Sequence, residues 1–225
     1  MTHTAPMTTQ SFFDQWAPSY DDEAQSERMQ YGGSERTLSL LRGLLTASHK
    51  AVLDLGIGTG LVAEKLARQG LDVYGIDLSS KMLQRCQQKN FAKALTVGNF
   101  ADGPLPFPDV AFDVITSIGV LDFVLDLPPL LGNVSARTRR GGLFCFSLPT
   151  REGNPDYEIV MMDGVPLAKK PLERRGLKIC VRGVDDVEQA LHQSGFEPLV
   201  HERFLGFISV TTGQHVFWDV FVVTK

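Results

Sequence analysis

The stretch Val52-Leu53-Asp54-Leu55-Gly56-Ile57-Gly58-Thr59-Gly60 decides the fold. Residues 51–55 are short, apolar and closed by glycines, which predicts a buried strand. Residues 61–69 follow at once, with Leu61, Val62 and Leu66 on one side and Gly70 as a stop, which predicts a helix. A strand that turns through glycines into a helix lets backbone approach a ligand closely at the carboxyl edge of a sheet. Dinucleotide sites use a similar device, but their G-x-G-x-x-G spacing would need a glycine where this chain has Leu61. Here the third glycine is Gly60. Asp54 is an acid in an apolar strand, costly to bury without a partner such as the amino group of an amino-acid-like ligand. The next strand, residues 71–76, runs through Tyr74-Gly75-Ile76 into Asp77, 21 residues after Gly56. A carboxylate at that edge can accept hydrogen bonds from both hydroxyls of a ribose. The unit specifies a ribose-containing ligand without demanding a pyrophosphate.

Outward from this unit, short β-rich runs alternate with amphipathic segments, which predicts a mostly parallel sheet. Ser79 should cap a helix with Met82, Leu83 and Cys86 on its inner face. Residues 111–117 and 142–148 read as strands, separated by a leucine-rich helical stretch near 130–134. Asp185 and Glu188 have capping-box spacing for a helix that reaches Ser194 before Gly195. Strands at 197–204 and 215–224 are expected to be antiparallel neighbours, since only a short loop joins them. Ahead of the first strand, Ser34 would cap a helix carrying Leu38, Leu41 and Leu45, and an aromatic-rich arm spans 12–20. Residues 150–183 read as an irregular connection, long enough to suggest a lid or binding loop.

With 225 residues, 43% of them hydrophobic, the chain can bury one sizeable core. Its net charge of -4 lacks the basic surplus of a phosphate-binding surface, so nucleic acid is not an expected partner. Cys86, Cys145 and Cys180 lie far apart without metal-ligand spacing, so buried thiols and no metal are expected, as suits a cytoplasmic protein. Residues 1–10 are polar and unlike a signal peptide, and no apolar run approaches the ~18 residues that span a bilayer, so no membrane contact is expected.

Over nearly its whole length the chain resembles the class I S-adenosylmethionine-dependent methyltransferases. The first motif matches at Asp54, Gly56, Gly58 and Gly60, and the ribose acid at Asp77. The resemblance implies S-adenosyl-L-methionine as cofactor, with Leu78, and Met82 as a second candidate, flanking its adenine. It also implies a polar group near the adenine amino nitrogen, within Gly98-Asn99-Phe100-Ala101-Asp102. Asn99 stands at the usual acid position, with Asp102 as the alternative. The approach to the fourth strand at Pro106-Phe107-Pro108-Asp109 is also similar, and its exit would pass Ile118 and Gly119 under the methionine portion. The run Phe13-Asp14-Gln15-Trp16-Ala17-Pro18-Ser19-Tyr20-Asp21 resembles an arm of small-molecule members that folds over the cofactor, with Tyr20 against the carboxylate. The fold implied is α/β: a doubly wound, seven-stranded, mostly parallel sheet with the last strand antiparallel. Residues 1–225 would form a single domain, with 1–33 as the arm and 150–183 as a lid-like insertion.

Methyl transfer from a sulfonium is an in-line displacement, in which the protein orients the nucleophile and excludes water. A general base helps only if the acceptor must lose a proton. The candidates are Asp122, just past the fourth strand, and His215, which opens the last strand near the carboxyl edge. His49 should face the opposite end of the sheet, and His201 reads as structural. Phe123, Tyr157 and Met161 are candidate acceptor contacts, the last two followed by Lys169, Lys170, Arg174 and Arg175. Asn154-Pro155-Asp156-Tyr157 resembles the Asn-Pro-Pro-Tyr signature of amine-directed members, but lacks its second proline and lies far from the fourth strand. The expected reaction is methylation of oxygen or nitrogen on a small-molecule metabolite, in specialised biosynthesis. The rivals are an RNA or protein methyltransferase, a non-catalytic cofactor-binding protein and a polyamine-forming aminopropyltransferase.

Overall fold

A computed structural model describes residues 8–154, 158–162, 165–169, 177, 179–209 and 213–225. Its main sheet has seven strands in the order β3-β2-β1-β4-β5-β10-β9. These are β1 (Ala51–Leu55), β2 (Asp72–Asp77), β3 (Ala94–Val97), β4 (Phe112–Ile118), β5 (Thr138–Leu148), β9 (Glu197–Ile208) and β10 (His215–Thr224). The first five pair in parallel, and β10 runs antiparallel to both β5 and β9. The doubly wound sheet with its antiparallel last strand is thus the one expected.

Alternation along the central strands builds two cores, because successive side chains leave a strand on opposite faces. Val52, Val114, Cys145 and Val222 join one face, packed with Leu41 of α3 (Gly33–Arg42), Leu66 of α4 (Ala63–Ala67) and Leu83 of α5 (Ser80–Gln88). Leu53, Ile115, Phe146 and Phe221 join the other, with Leu130 and Val134 of α6 (Leu127–Arg137) and Leu191 of α7 (Val184–Gln193). On that face Phe144 stacks on Phe146 at 4.7 Å and Phe146 on Phe221 at 5.2 Å. All three cysteines are buried and free. No helix among the described residues is long and apolar enough to cross a membrane.

Several local expectations shift. The helix expected at 61–69 shrinks to α4: ahead of it Gly60 N–H donates to Ile57 O at 2.8 Å, and behind it the Gln69 and Gly70 N–H groups donate to Leu66 O and Ala67 O in tighter turns. Helix α3 starts at Gly33 rather than after a Ser34 cap, and it stops at Arg42, short of Leu45. Helix α7 starts one residue before Asp185, and it is Asp186 whose carboxylate accepts the Gly183 N–H, at 3.2 Å. Residues 150–183, expected to be irregular, contain regular structure in their described part. They hold a separate antiparallel sheet of β6 (Glu158–Met162), β7 (Val165–Lys169) and β8 (Ile179–Cys180). The Ser79 cap stands as read: its Oγ accepts the Met82 N–H at 3.1 Å.

Candidate active site

Loops at the carboxyl ends of β1 to β4 surround a cavity of about 430 Å³, within the range typical of small-molecule sites. The β1 loop contributes Asp54, Gly56 and Gly58, the β2 loop Asp77 and Leu78, and α5 contributes Met82. Asn99, Phe100 and Asp102 follow β3, and Ile118, Gly119 and Phe123 follow β4. Tyr20 closes it from the arm. Thus the structure gathers most of the residues the glycine motif pointed to around one space.

Gly56 must be glycine, since its φ is +76° and a Cβ would lie 2.6 Å from the Val120 side chain. Its neighbour Gly58 donates N–H to Asp77 Oδ2 at 2.8 Å, and Ser79 N–H reaches the other Asp77 oxygen at 2.8 Å. The carboxylate therefore ties the two ligand-facing loops together. Burial raises its pKa against those amide hydrogen bonds. Asp54 lies deeper: Thr116 Oγ1 donates to its Oδ1 at 2.8 Å. Burial, with a smaller contribution from Asp77, raises the Asp54 pKa to about 7 despite the Thr116 hydrogen bond. A cation placed beside this carboxyl would favour its charged form.

The arm comprises α1 (Thr9–Trp16) and α2 (Tyr20–Ala24). Asp14 accepts the Ser79 hydroxyl at 2.6 Å and the Lys81 N–H at 3.2 Å. Asp21 takes the Thr59 hydroxyl and the Lys89 ammonium, the latter at 2.8 Å. Both latches thus fall on the glycine loop and the β2 loop, the walls of the cavity. Trp16 meets Tyr20 edge-on at 4.8 Å, and Phe13 meets Phe123 edge-on at 5.6 Å.

Other expected site residues stand elsewhere. Gly60 does not line the cavity; it backs onto Phe91 and Cys86. Asp122 and Phe123 share a single 3₁₀ turn (Leu121–Phe123), which sends Phe123 to the cavity and buries Asp122 behind its wall, in the field of Arg182. His215 is exposed and off the cavity, because the β9–β10 hairpin extends past the sheet edge and sets its ring beside Phe217. His201 is structural, with Nε2 2.8 Å from buried Asp219. Asn154 binds the main chain of Phe217 in both directions, at 2.8 and 3.0 Å, and takes no part in the cavity. Asn99 donates to Asp102, so the two adenine-side alternatives form one pair. Tyr157 lies outside the described residues, as do Lys170, Arg174 and Arg175, and Met161 falls in β6. The sequence reading missed Tyr31, Val124, Leu125 and Asp126, all of which line the cavity.

The family model described as a methyltransferase domain matches residues 53–146. Methyltransferase-like protein 27 of Homo sapiens is 31% identical over 157 residues, covering 65% of this chain and 60% of that protein. Demethylmenaquinone methyltransferase of Tropheryma whipplei is 33% identical over 162 residues, covering 65% of this chain and 66% of that protein. The chain spans less than two thirds of the length of both. An uncharacterized methyltransferase of Anoxybacillus flavithermus is 30% identical over 157 residues, covering 67% and 72%. In fold, the chain is similar to the solved CcbJ methyltransferase of Streptomyces caelestis, with a TM-score of 0.69, 20% identity and coverage of 97% and 99%. The sheet order and the glycine motif agree with these likenesses, and the chain belongs to the class I S-adenosylmethionine-dependent methyltransferase family.

Proposed function

We propose that the protein transfers the methyl group of S-adenosyl-L-methionine to an oxygen or nitrogen of a small metabolite. The observation that carries this reading is the arm latched over the cavity, with Phe13 set against Phe123. A cavity of about 430 Å³ roofed by the arm suits a small acceptor better than a large one. The demethylmenaquinone methyltransferase, whose name denotes a small acceptor, supports the same class.

The residues present fit the cofactor. Asp54 suits its ammonium, since burial has raised the cost of leaving that carboxylate uncompensated. Gly56 and Gly58 would bring backbone close to it, and Asp77 would face the ribose from the end of β2. Leu78 and Met82 would flank the adenine, and the Asn99–Asp102 pair beside Phe100 would meet its amino group. Ile118 and Gly119 would lie under the methionine portion, and Tyr20 would cover its carboxylate. When bound, the cofactor supplies an electrophilic methyl carbon. The chain's own contribution is to hold the acceptor in line, with Phe123 as one wall, and to keep water out.

Incubating purified protein with radiolabelled S-adenosylmethionine and a panel of phenols, carboxylic acids, amines, RNA and protein tests the reading. Label should enter a small acceptor. Methylation confined to RNA or protein would overturn the proposal.

Asp54 also sets a pH dependence. A ligand ammonium favours its ionised form, so binding below pH 7 must release the proton that the raised pKa retains. Affinity for S-adenosylhomocysteine should therefore climb by up to about tenfold per pH unit below 7 and level off above it. The opposite slope holds for the ligand-free fold, whose stability falls as pH rises from the ordinary carboxylate range towards 7. Calorimetric titration from pH 5.5 to 8.5 checks this, and Asp54→Asn should flatten the profile.

A further inference from the structure

Tyr31 lines the cavity, yet neither the glycine motif nor the arm latches involve it. Its placement is heavily constrained. Met29 O accepts the Ile208 N–H at 2.6 Å and Gly32 N–H donates to Gly206 O at 2.9 Å, so the chain on both sides of Tyr31 is pinned to β9. Its ring stands edge-on to Trp218, 5.8 Å away. Two glycines follow, and both are needed for room. A Cβ on Gly32 would lie 2.6 Å from Leu205 O. A Cβ on Gly33 would lie 2.7 Å from the Tyr31 hydroxyl and 3.0 Å from the Ile118 side chain. Gly33 is the first residue of α3, and glycine is a poor helix former. The sequence accepts that weakness where the phenol needs the space.

The hydroxyl reaches the end of β4, within the electrostatic field of Tyr20, Asp54 and Asp122. A ligand carboxylate in such an acidic corner needs donors that carry no negative charge. A phenol is one, and burial raises the Tyr31 pKa well above its ordinary value, so it keeps its proton. We propose that Tyr31 is a positioning residue that joins Tyr20 in holding the carboxylate of the cofactor's amino-acid tail, while Asp54 takes the ammonium of the same tail. This rests on the cofactor reading above, and sharpens it: the tail is gripped by one acid and two phenols. With the tail fixed, the thioether side of the ligand is set against Ile118 and Gly119.

The test compares two ligands that differ in that tail. S-adenosylhomocysteine carries it, whereas 5′-methylthioadenosine has the same adenosine and a thioether without it. Tyr31→Phe keeps the ring against Trp218 and removes only the hydroxyl. Calorimetric titration should show S-adenosylhomocysteine binding weakened by about tenfold, the scale of one lost hydrogen bond to a charged group, with 5′-methylthioadenosine within about twofold of wild type. Gly33→Ala, which pushes the phenol aside without deleting it, should reproduce the selective loss. Equal weakening of both ligands would make Tyr31 a purely structural residue and overturn the proposal. So would an unchanged affinity for both. Failure of the wild-type protein to bind either ligand would be a different result, one that removes the cofactor reading itself.

Discussion

Asp77→Ala should weaken S-adenosylmethionine binding by about a hundredfold or more, the largest single-residue effect expected on this site. Two losses combine. The ribose loses its acceptor, a charged group whose hydrogen bonds are each worth about 1.5–3 kcal/mol. The Gly58 and Ser79 amides, each held at 2.8 Å by the same carboxylate, lose their partner, and the two ligand-facing loops come untied. Asp77→Asn separates these effects. An amide has one accepting oxygen, so it can serve one of the two backbone N–H groups but not both. It should bind more tightly than the alanine variant and more weakly than wild type. Calorimetry on the three proteins reads this directly, and an Asp77→Ala protein that binds like wild type would refute the ribose assignment.

Arg182→Met should cost about 3 kcal/mol of stability, which for a chain of this length lowers Tm by about 9 °C. Arg182 is 9% exposed and donates to the main-chain carbonyls of Leu121, Val124 and Leu125, the last two being cavity-lining residues. Its own carbonyl accepts the Arg151 N–H at 3.0 Å, and the residue bridges to Thr150. One buried guanidinium therefore joins the base of the β6–β8 insertion to the loop that carries Phe123. Methionine fills much of the volume but donates nothing, leaving those carbonyls unsatisfied. Arg182→Lys should recover only part of the loss, because an ammonium lacks the planar fork that spans separate carbonyls. Thermal and urea melts check both variants. A variant as stable as wild type would show that the three hydrogen bonds contribute nothing net.

What the sequence made legible follows from how local each signal is. The β1 and β10 bounds agree with the structure because each is a β-rich run ended by turn residues. The site acids Asp54 and Asp77 could be read for the same reason, as their positions are set by the strands that carry them. Asp122 and Phe123 could not be told apart, because a tight 3₁₀ turn, not strand alternation, decides which faces the cavity. His215 was drawn toward the site by its place at a strand start, which says nothing about how far a hairpin overshoots its neighbours. The β6–β8 sheet was hidden since its strands pair with one another and not with the main sheet. Arg182 and Tyr31 were invisible because their partners are distant in sequence: carbonyls some sixty residues away for one, and β9 and β4 for the other. The one local clue to Tyr31 was a glycine pair directly behind an aromatic residue and ahead of a helix.

Titrating the wild-type protein with S-adenosylmethionine, S-adenosylhomocysteine and a nicotinamide dinucleotide asks whether the glycine-loop cavity is an S-adenosylmethionine site. One-to-one binding of the first two in the micromolar range is expected, and no binding of the third. Silence toward both adenosyl ligands, or a preference for the dinucleotide, would contradict that assignment.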